Sequence, residues 1–141
     1  MSTKPRPVYT NLNVFADLPG YRLPVAGFVS ILHRISGFLM FLLLPFVIWL
    51  FDTSVSSEVS FESFRSAFDA GIGFVPALLV KLICLALIWA YLHHLLAGMR
   101  HLRMDVSHAV SKEQGKSSAI VVLVLSLGLT LLLGAKLFGL Y

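Results

Sequence analysis

The segment FVPALLVKLICLALIWAYLHHLLAGM, residues 74–99, decides the fold of this chain, and Lys81 is its only charged residue. About 20 predominantly apolar residues are enough for one helix to cross a bilayer. The whole composition agrees, because 57% of the 141 residues are hydrophobic and only 13% are charged, whereas soluble domains carry roughly 25% charged residues. We therefore predict an all-α membrane protein. The net charge of +4 gives no argument for binding nucleic acid.

Two further apolar segments, about 25–51 and 118–140, predict two more transmembrane helices. Pro45 in the first predicts a kink, because proline removes a backbone N–H. Residues 1–24 are interpreted as a basic arm, residues 52–73 as an acidic loop with a short surface helix around 61–68, and residues 100–117 as a polar connection. All 141 residues then form a single transmembrane domain.

The distribution of charge predicts the orientation of the chain. Lys and Arg collect in the arm and in the 100–117 connection, whereas the 52–73 loop is acidic. Because cytoplasmic loops of membrane proteins carry the excess of positive charge, we predict a cytoplasmic N-terminus.

His93 and His94 interrupt the second apolar segment, and histidine inside a membrane span is a candidate functional residue. On a helix, His94 falls in a stripe of small residues with Ala86, Ala90 and Gly98. Small neighbours clear a depression in which a second helix or a planar macrocycle can approach closely. His93 falls about 100° away, on a face shared with bulky side chains that resembles a lipid-facing surface. His94 is therefore the better candidate for a ligand of haem iron.

Two other roles for His94 also fit the sequence. Stripes of small residues commonly mark helix packing, and a histidine on one can simply bond to a neighbouring helix. A proton relay is a third possibility. His93 is interpreted as a packing or interfacial residue.

A second polar group lies in the first span, where Ser30 and Arg34 share one helical face. A hydroxyl beside a guanidinium makes a donor-rich patch that suits a carbonyl oxygen of an otherwise apolar ligand. The alternative is that Arg34 anchors the helix to phosphate headgroups. The cations after the second span, Arg100, His101 and Arg103, are interpreted mainly as structural anchors, with a contact to an anionic ligand group as the alternative.

These residues carry a resemblance to a known family. Arg6-Pro7 in the arm, Ser30-Ile31-Leu32-His33-Arg34-Ile35-Ser36-Gly37, and His94-x-x-x-Gly98-x-Arg100-His101-Leu102-x-x-Asp105 resemble the cytochrome b membrane-anchor subunit of bacterial succinate dehydrogenase. The order, spacing and three-span layout agree over essentially the whole chain. His93 departs from the expected single histidine by supplying a second candidate beside it.

The resemblance implies a subunit that is no enzyme on its own but part of a succinate:quinone oxidoreductase in the bacterial inner membrane. A flavoprotein subunit and an iron–sulfur subunit would supply electrons, and this chain would form half of a helical bundle with a second hydrophobic anchor. It implies haem b, with His94 as an axial iron ligand and His33, Arg34 and His101 near the haem propionates. It also implies a ubiquinone site at Ser30 and Arg34.

Two alternatives to this function are a fumarate reductase anchor, which runs the reaction toward succinate, and a cofactor-free helix-packing subunit of another membrane assembly. The first differs only in the direction of the reaction. The second would bind no haem.

Overall fold

The computed structural model describes residue 20, residues 23–108 and residues 111–141. Within these residues the chain forms five helices: α1 (Val25–Leu42), α2 (Leu44–Val55), α3 (Glu58–Asp69), α4 (Ala77–Ser107) and α5 (Lys112–Leu137). Among them α1, α4 and α5 are long and apolar enough to cross a membrane. The predicted all-α architecture with three membrane-crossing helices is confirmed. Most of the basic arm predicted for residues 1–24, including the Arg6-Pro7 motif, lies outside the described residues.

The first apolar segment is broken where the sequence predicted a kink. Helix α1 ends at Leu42 and α2 begins at Leu44, with Pro45 in the first turn of α2. Proline has no N–H to donate to the carbonyl four residues earlier, so the regular hydrogen-bond series stops there. The first turn of a new helix tolerates proline because its N–H groups have no helical partner anyway.

Helices α4 and α5 run beyond the apolar segments and take up most of the polar connection predicted over residues 100–117. Helix α4 continues to Ser107 and ends at His108, which adopts a left-handed φ of 49°. Helix α5 starts at Lys112, where the Ser111 hydroxyl accepts from the Gln114 backbone N–H in a capping box. At residue 100 the composition changes from apolar to charged. A helix satisfies its backbone in apolar and polar surroundings alike, so it does not need to end there.

The three long helices pack around one small core. Helix α4 contacts both α1 and α5, and α1 also contacts α5. The core residues Val29, Ala97, Ala119 and Val122 are buried where these helices meet. Many large apolar side chains point outward instead, such as Phe41 and Leu131, which are 76% and 74% exposed. An apolar exterior around a small-residue core is the pattern expected of helices in lipid.

The acidic loop contains the predicted surface helix, which is confirmed as α3 and is slightly longer than expected. Ser57 caps it by accepting from the Ser60 backbone N–H at 3.1 Å, and Ser60 bonds back to the Ser57 N–H at 2.9 Å. This capping box satisfies two of the N–H groups that a helix start leaves unpaired. Helix α3 packs against α2 and α4. It lies at the opposite end of α4 from Arg100, His101 and Arg103.

Candidate functional site

His94 lies between α4 and α1, and its ring bonds to the α1 backbone. Its Nδ1 is 3.0 Å from the carbonyl oxygen of His33 and 3.3 Å from Ser36 Oγ. Because a carbonyl oxygen only accepts hydrogen bonds, this contact assigns the proton to Nδ1. In the neutral imidazole Nε2 then keeps its lone pair. The described residues provide that nitrogen with no hydrogen-bond partner, so the half-buried ring offers it to a ligand from outside.

Gly37 on α1 makes room for the His94 ring. A Cβ atom at residue 37 would come 2.9 Å from Cε1 and 3.2 Å from Nδ1 of His94, tighter than most real contacts. On the facing helix Gly98 lies opposite His33, where a Cβ would be an ordinary 3.5 Å from Nε2 of that ring. The small-residue stripe predicted on α4 therefore faces α1. Each histidine lies over a glycine of the other helix.

The structure brings together three of the histidines predicted to form the site. The rings of His33 and His94 are stacked, with centroids 4.0 Å apart and an interplanar angle of 13°. His101 approaches His33 edge-on at 5.3 Å. Among the described residues no group of three or more His, Cys, Asp or Glu side chains is arranged to hold a bare metal ion. The histidines therefore fit a single nitrogen ligand with two neighbouring rings, not a chelating cluster.

Ser30 and Arg34 lie one turn apart on α1, as the spacing predicted. Ser30 is half-buried and Arg34 is exposed, so the guanidinium points away from the described part of the chain. His33 packs against α4, whereas its neighbour Arg34 faces outward. The structure does not bring Arg34 into the histidine cluster. The patch is open to a molecule or chain that approaches α1 from outside.

The face of α4 that carries His93 resembled a lipid-facing surface, but helix α5 covers it, and His93 is a packing residue, as one of the two interpretations had it. The side chain is 0% exposed, its Nδ1 is 3.3 Å from Ser126 Oγ on α5, and Trp89 stacks on it at 5.4 Å. The Ser126 hydroxyl also donates to the Leu123 carbonyl at 3.2 Å, and His93 Nε2 is buried without a hydrogen-bond partner among the described residues. The helical-face argument failed because α5 covers this face of α4. Bulky neighbours do not distinguish a face covered by protein from one covered by lipid.

The burial of His93 separates the two adjacent histidines as ligand candidates. The Nε2 atom of His93 is enclosed by the three helices, whereas the Nε2 atom of His94 is not. A planar macrocycle needs open space beside the ligating nitrogen. His94 fits an axial ligand of such a group and His93 does not. The bond from His94 Nδ1 to a backbone carbonyl is also the usual second contact of a metal-binding histidine.

Arg100 bonds to helix α5 and not to the anionic ligand group that was the alternative for the cations after the second span. It is 7% exposed, its Nε donates to Ser118 Oγ at 3.0 Å, and its Nη2 donates to the Gly115 carbonyl at 3.2 Å. These bonds join the end of α4 to the start of α5. The structural interpretation of Arg100 is therefore confirmed. Its guanidinium lies on the α5 side of α4, away from the histidine cluster.

Two residues of the site, Ser36 and Gly37, were given no role from the sequence. Ser36 is fully buried, donates to the His33 carbonyl at 2.8 Å and contacts His94 Nδ1. Gly37 holds the face of the His94 ring. In the sequence analysis both residues appeared only as members of the segment 30–37. Their spacing of three and four residues from His33 was the one signal that placed them on the same face of α1.

Comparison with known proteins agrees with this geometry. Residues 2–133 match the family described as succinate dehydrogenase/fumarate reductase transmembrane subunit. The chain is similar to the succinate dehydrogenase cytochrome b556 subunit of Coxiella burnetii, with 36% identity over 78% of this chain and 83% of the relative. It is also similar to the protein of that name from Paracoccus denitrificans, with 30% identity over 90% of this chain and 88% of the relative. The corresponding protein of Rickettsia felis is 25% identical over 94% and 98%.

Proposed function

The chain belongs to the family of succinate dehydrogenase/fumarate reductase transmembrane subunits, and from that membership we propose that it is the haem b- and quinone-binding anchor of a succinate dehydrogenase. In this role it carries no catalytic site for succinate. It passes electrons from the iron–sulfur subunit to ubiquinone, which links the tricarboxylic acid cycle to the respiratory chain. The family description also covers fumarate reductase, but the similar proteins named above are succinate dehydrogenase subunits. That favours succinate oxidation.

His94 is the proposed axial ligand of the haem iron. The observation that carries this proposal is the contact between Nδ1 and the His33 carbonyl, which leaves the Nε2 lone pair available at a half-buried position. Bound haem would supply reversible one-electron storage within the membrane. His33 and His101 lie beside His94 and would face the propionate groups. A further nitrogen ligand would come from the second anchor subunit.

Ser30 and Arg34 are the proposed quinone-binding residues. The hydroxyl and the guanidinium are donors on one face of α1, and a quinone carbonyl is an acceptor on an apolar ring. As the quinone takes up electrons its oxygens gain negative charge, and preoriented donors stabilise charge as it develops. Arg34 would supply most of this stabilisation because it is cationic. Its exposure on α1 leaves it accessible to a quinone held between this chain and its partners.

The proposed setting is the bacterial inner membrane with the N-terminus in the cytoplasm. Arg100 and Arg103 lie toward the end of α4, whereas α3 at the other end of the bundle contains Glu58, Glu62 and Asp69. The excess of positive charge marks the cytoplasmic side. The flavoprotein and iron–sulfur subunits would then bind on the side where α4 ends and α5 begins. The second anchor would complete the helical bundle.

Replacement of the two adjacent histidines tests the haem assignment. In the purified complex, His94→Leu should abolish or shift the reduced-minus-oxidised b-type spectrum, because it removes the accessible lone pair. His93→Leu should leave the spectrum largely intact, because its Nε2 is enclosed. The opposite pattern would refute the assignment. A wild-type complex without any b-type spectrum would instead support the cofactor-free packing subunit.

Ser30→Ala and Arg34→Leu test the quinone assignment. Arg34→Leu should depress succinate:ubiquinone turnover by roughly 10- to 100-fold, the effect of losing a charged hydrogen bond worth about 1.5–3 kcal/mol. Ser30→Ala should depress it by roughly 2- to 10-fold, the effect of losing a neutral hydrogen bond worth about 0.5–1.5 kcal/mol. Succinate oxidation with a soluble dye should be spared, because the dye takes its electrons before the membrane site. Equal losses in both assays would point to failed assembly and contradict the proposed role.

A further inference from the structure

A groove runs between the end of α4 and the start of α5, on the face of α4 opposite His94. Leu96, Met99 and Arg103 lie roughly 140–200° around the helix from His94, taking about 100° per residue. The groove encloses about 460 Å³ and joins a smaller cavity of about 100 Å³, which shares Arg100, Arg103, Gln114 and Ser118 as lining residues. It is therefore separate from the proposed haem and quinone sites.

The end of the groove nearest the termini of the two helices is cationic and rich in donors. Arg103 and Gln114 are exposed there, and no Asp or Glu is among the lining residues. The buried Arg100 uses Nε and Nη2 to bond to α5, and Nη1 has no acceptor among the described residues. A buried guanidinium held in place by two bonds keeps a fixed positive charge beside the cavity. An anion fits this end.

The other end of the groove is apolar. Leu96, Met99, Val121 and Leu125 line it, and Met99 and Val121 are 58% and 52% exposed. These residues belong to the parts of α4 and α5 that are apolar enough to cross the membrane. A free phosphate would use the cationic end alone and leave the apolar end empty. A molecule with an anionic head and a hydrocarbon chain would fill both.

We propose that this groove binds one anionic phospholipid. The headgroup phosphate contacts Arg103 and the remaining donor of Arg100, and one acyl chain lies along Met99, Val121 and Leu125. Charge complementarity favours an anionic lipid over a zwitterionic one, since a basic residue at a membrane surface contributes about 1 kcal/mol toward anionic lipid. A partner helix is a poorer occupant, because it would have to cover the charge of Arg103 as well as the apolar end. The site does not depend on haem binding.

Retention of dioleoylphosphatidylglycerol by the delipidated complex, measured by native mass spectrometry, tests the proposal. Arg103→Gln should weaken retention about fivefold, which corresponds to the contribution of one basic residue. Lys116→Gln is the matched control, because Lys116 is exposed near the start of α5 but does not line the groove; it should have no effect. Val121→Trp fills the apolar end without changing charge and should also weaken retention. Dioleoylphosphatidylcholine should bind less tightly than phosphatidylglycerol in the wild type.

Several outcomes would overturn the proposal. If Arg103→Gln and Lys116→Gln lost lipid retention equally, the lipid would be attracted by the overall surface charge and not bound at a specific site. Displacement of the lipid by millimolar inorganic phosphate, or unchanged retention in Val121→Trp, would mean a headgroup site without an acyl chain. Absence of bound lipid in the wild type, with crosslinks from residue 125 to another subunit, would assign the groove to a protein interface. The experiment detects bound lipid by its mass. Its result therefore does not depend on whether the complex shows a haem spectrum.

Discussion

Gly37→Ala tests the contact on which the proposed haem site rests. The new Cβ would lie 2.9 Å from His94 Cε1, whereas ordinary contact begins at 3.4 Å, so the ring would have to retreat by about 0.5 Å. The ring is held by the bond to the His33 carbonyl at 3.0 Å and by stacking on His33. Retreat therefore stretches that bond or separates α1 from α4. Overpacking of this kind costs about 1–3 kcal/mol.

The cost is partly offset, because alanine forms helix better than glycine by about 1 kcal/mol. Substitutions at two other glycines measure this gain in helix propensity. A Cβ at Gly98 meets His33 Nε2 at an ordinary 3.5 Å, and a Cβ at Gly128 meets nothing within 4 Å. Gly98→Ala and Gly128→Ala should therefore be neutral or stabilising. Gly37→Ala should be less stable than either by about 1–3 kcal/mol, the overpacking cost that they lack.

The assay has two readouts on the purified complex. Thermal unfolding followed by circular dichroism should show a lower melting temperature for Gly37→Ala than for Gly98→Ala, because the overpacking destabilises the contact between α1 and α4. The reduced-minus-oxidised spectrum should shift or weaken for Gly37→Ala alone, because the displaced ring is the proposed ligand. If Gly37→Ala matched Gly98→Ala in both readouts, His94 would not lie against Gly37 and the argument for its lone pair would fall.

Two further predictions concern stability alone. Arg100→Gln should lower the free energy of unfolding by about 2 kcal/mol, because charge-assisted hydrogen bonds contribute about 1.5–3 kcal/mol and the Gly115 carbonyl loses its donor. Thermal unfolding measures this loss. The control is Arg103→Gln at an exposed residue, which should leave the melting temperature almost unchanged. Ser57→Ala should destabilise α3 by about 1 kcal/mol through loss of its N-cap. Hydrogen exchange at the first turn of α3 should speed up roughly fivefold, and unchanged protection there would contradict the capping role.

The amino-acid sequence by itself determined which segments are apolar enough to cross a membrane and which are polar. It thereby determined the class of the protein. Charge-poor segments of membrane length gave three crossing helices, and Pro45 gave the break between α1 and α2. These conclusions held because they depend on the transfer of each segment between water and lipid, which is a property of its own residues. The spacing of Ala90 and Gly98 around His94 also favoured the histidine that the geometry supports. Small neighbours are needed wherever a helix or a flat ligand comes close.

Only the tertiary structure decided what each polar side chain meets. The face that carries His93 resembled a lipid-facing surface, yet α5 covers it and packs Ser126 against His93. Arg100 was one cation among several, yet it joins α4 to α5. The proton on His94 Nδ1 follows from a carbonyl 61 residues earlier in the chain. Helical periodicity fixes the direction of a side chain from its own axis, but whether protein, lipid or a ligand lies in that direction depends on how the helices pack.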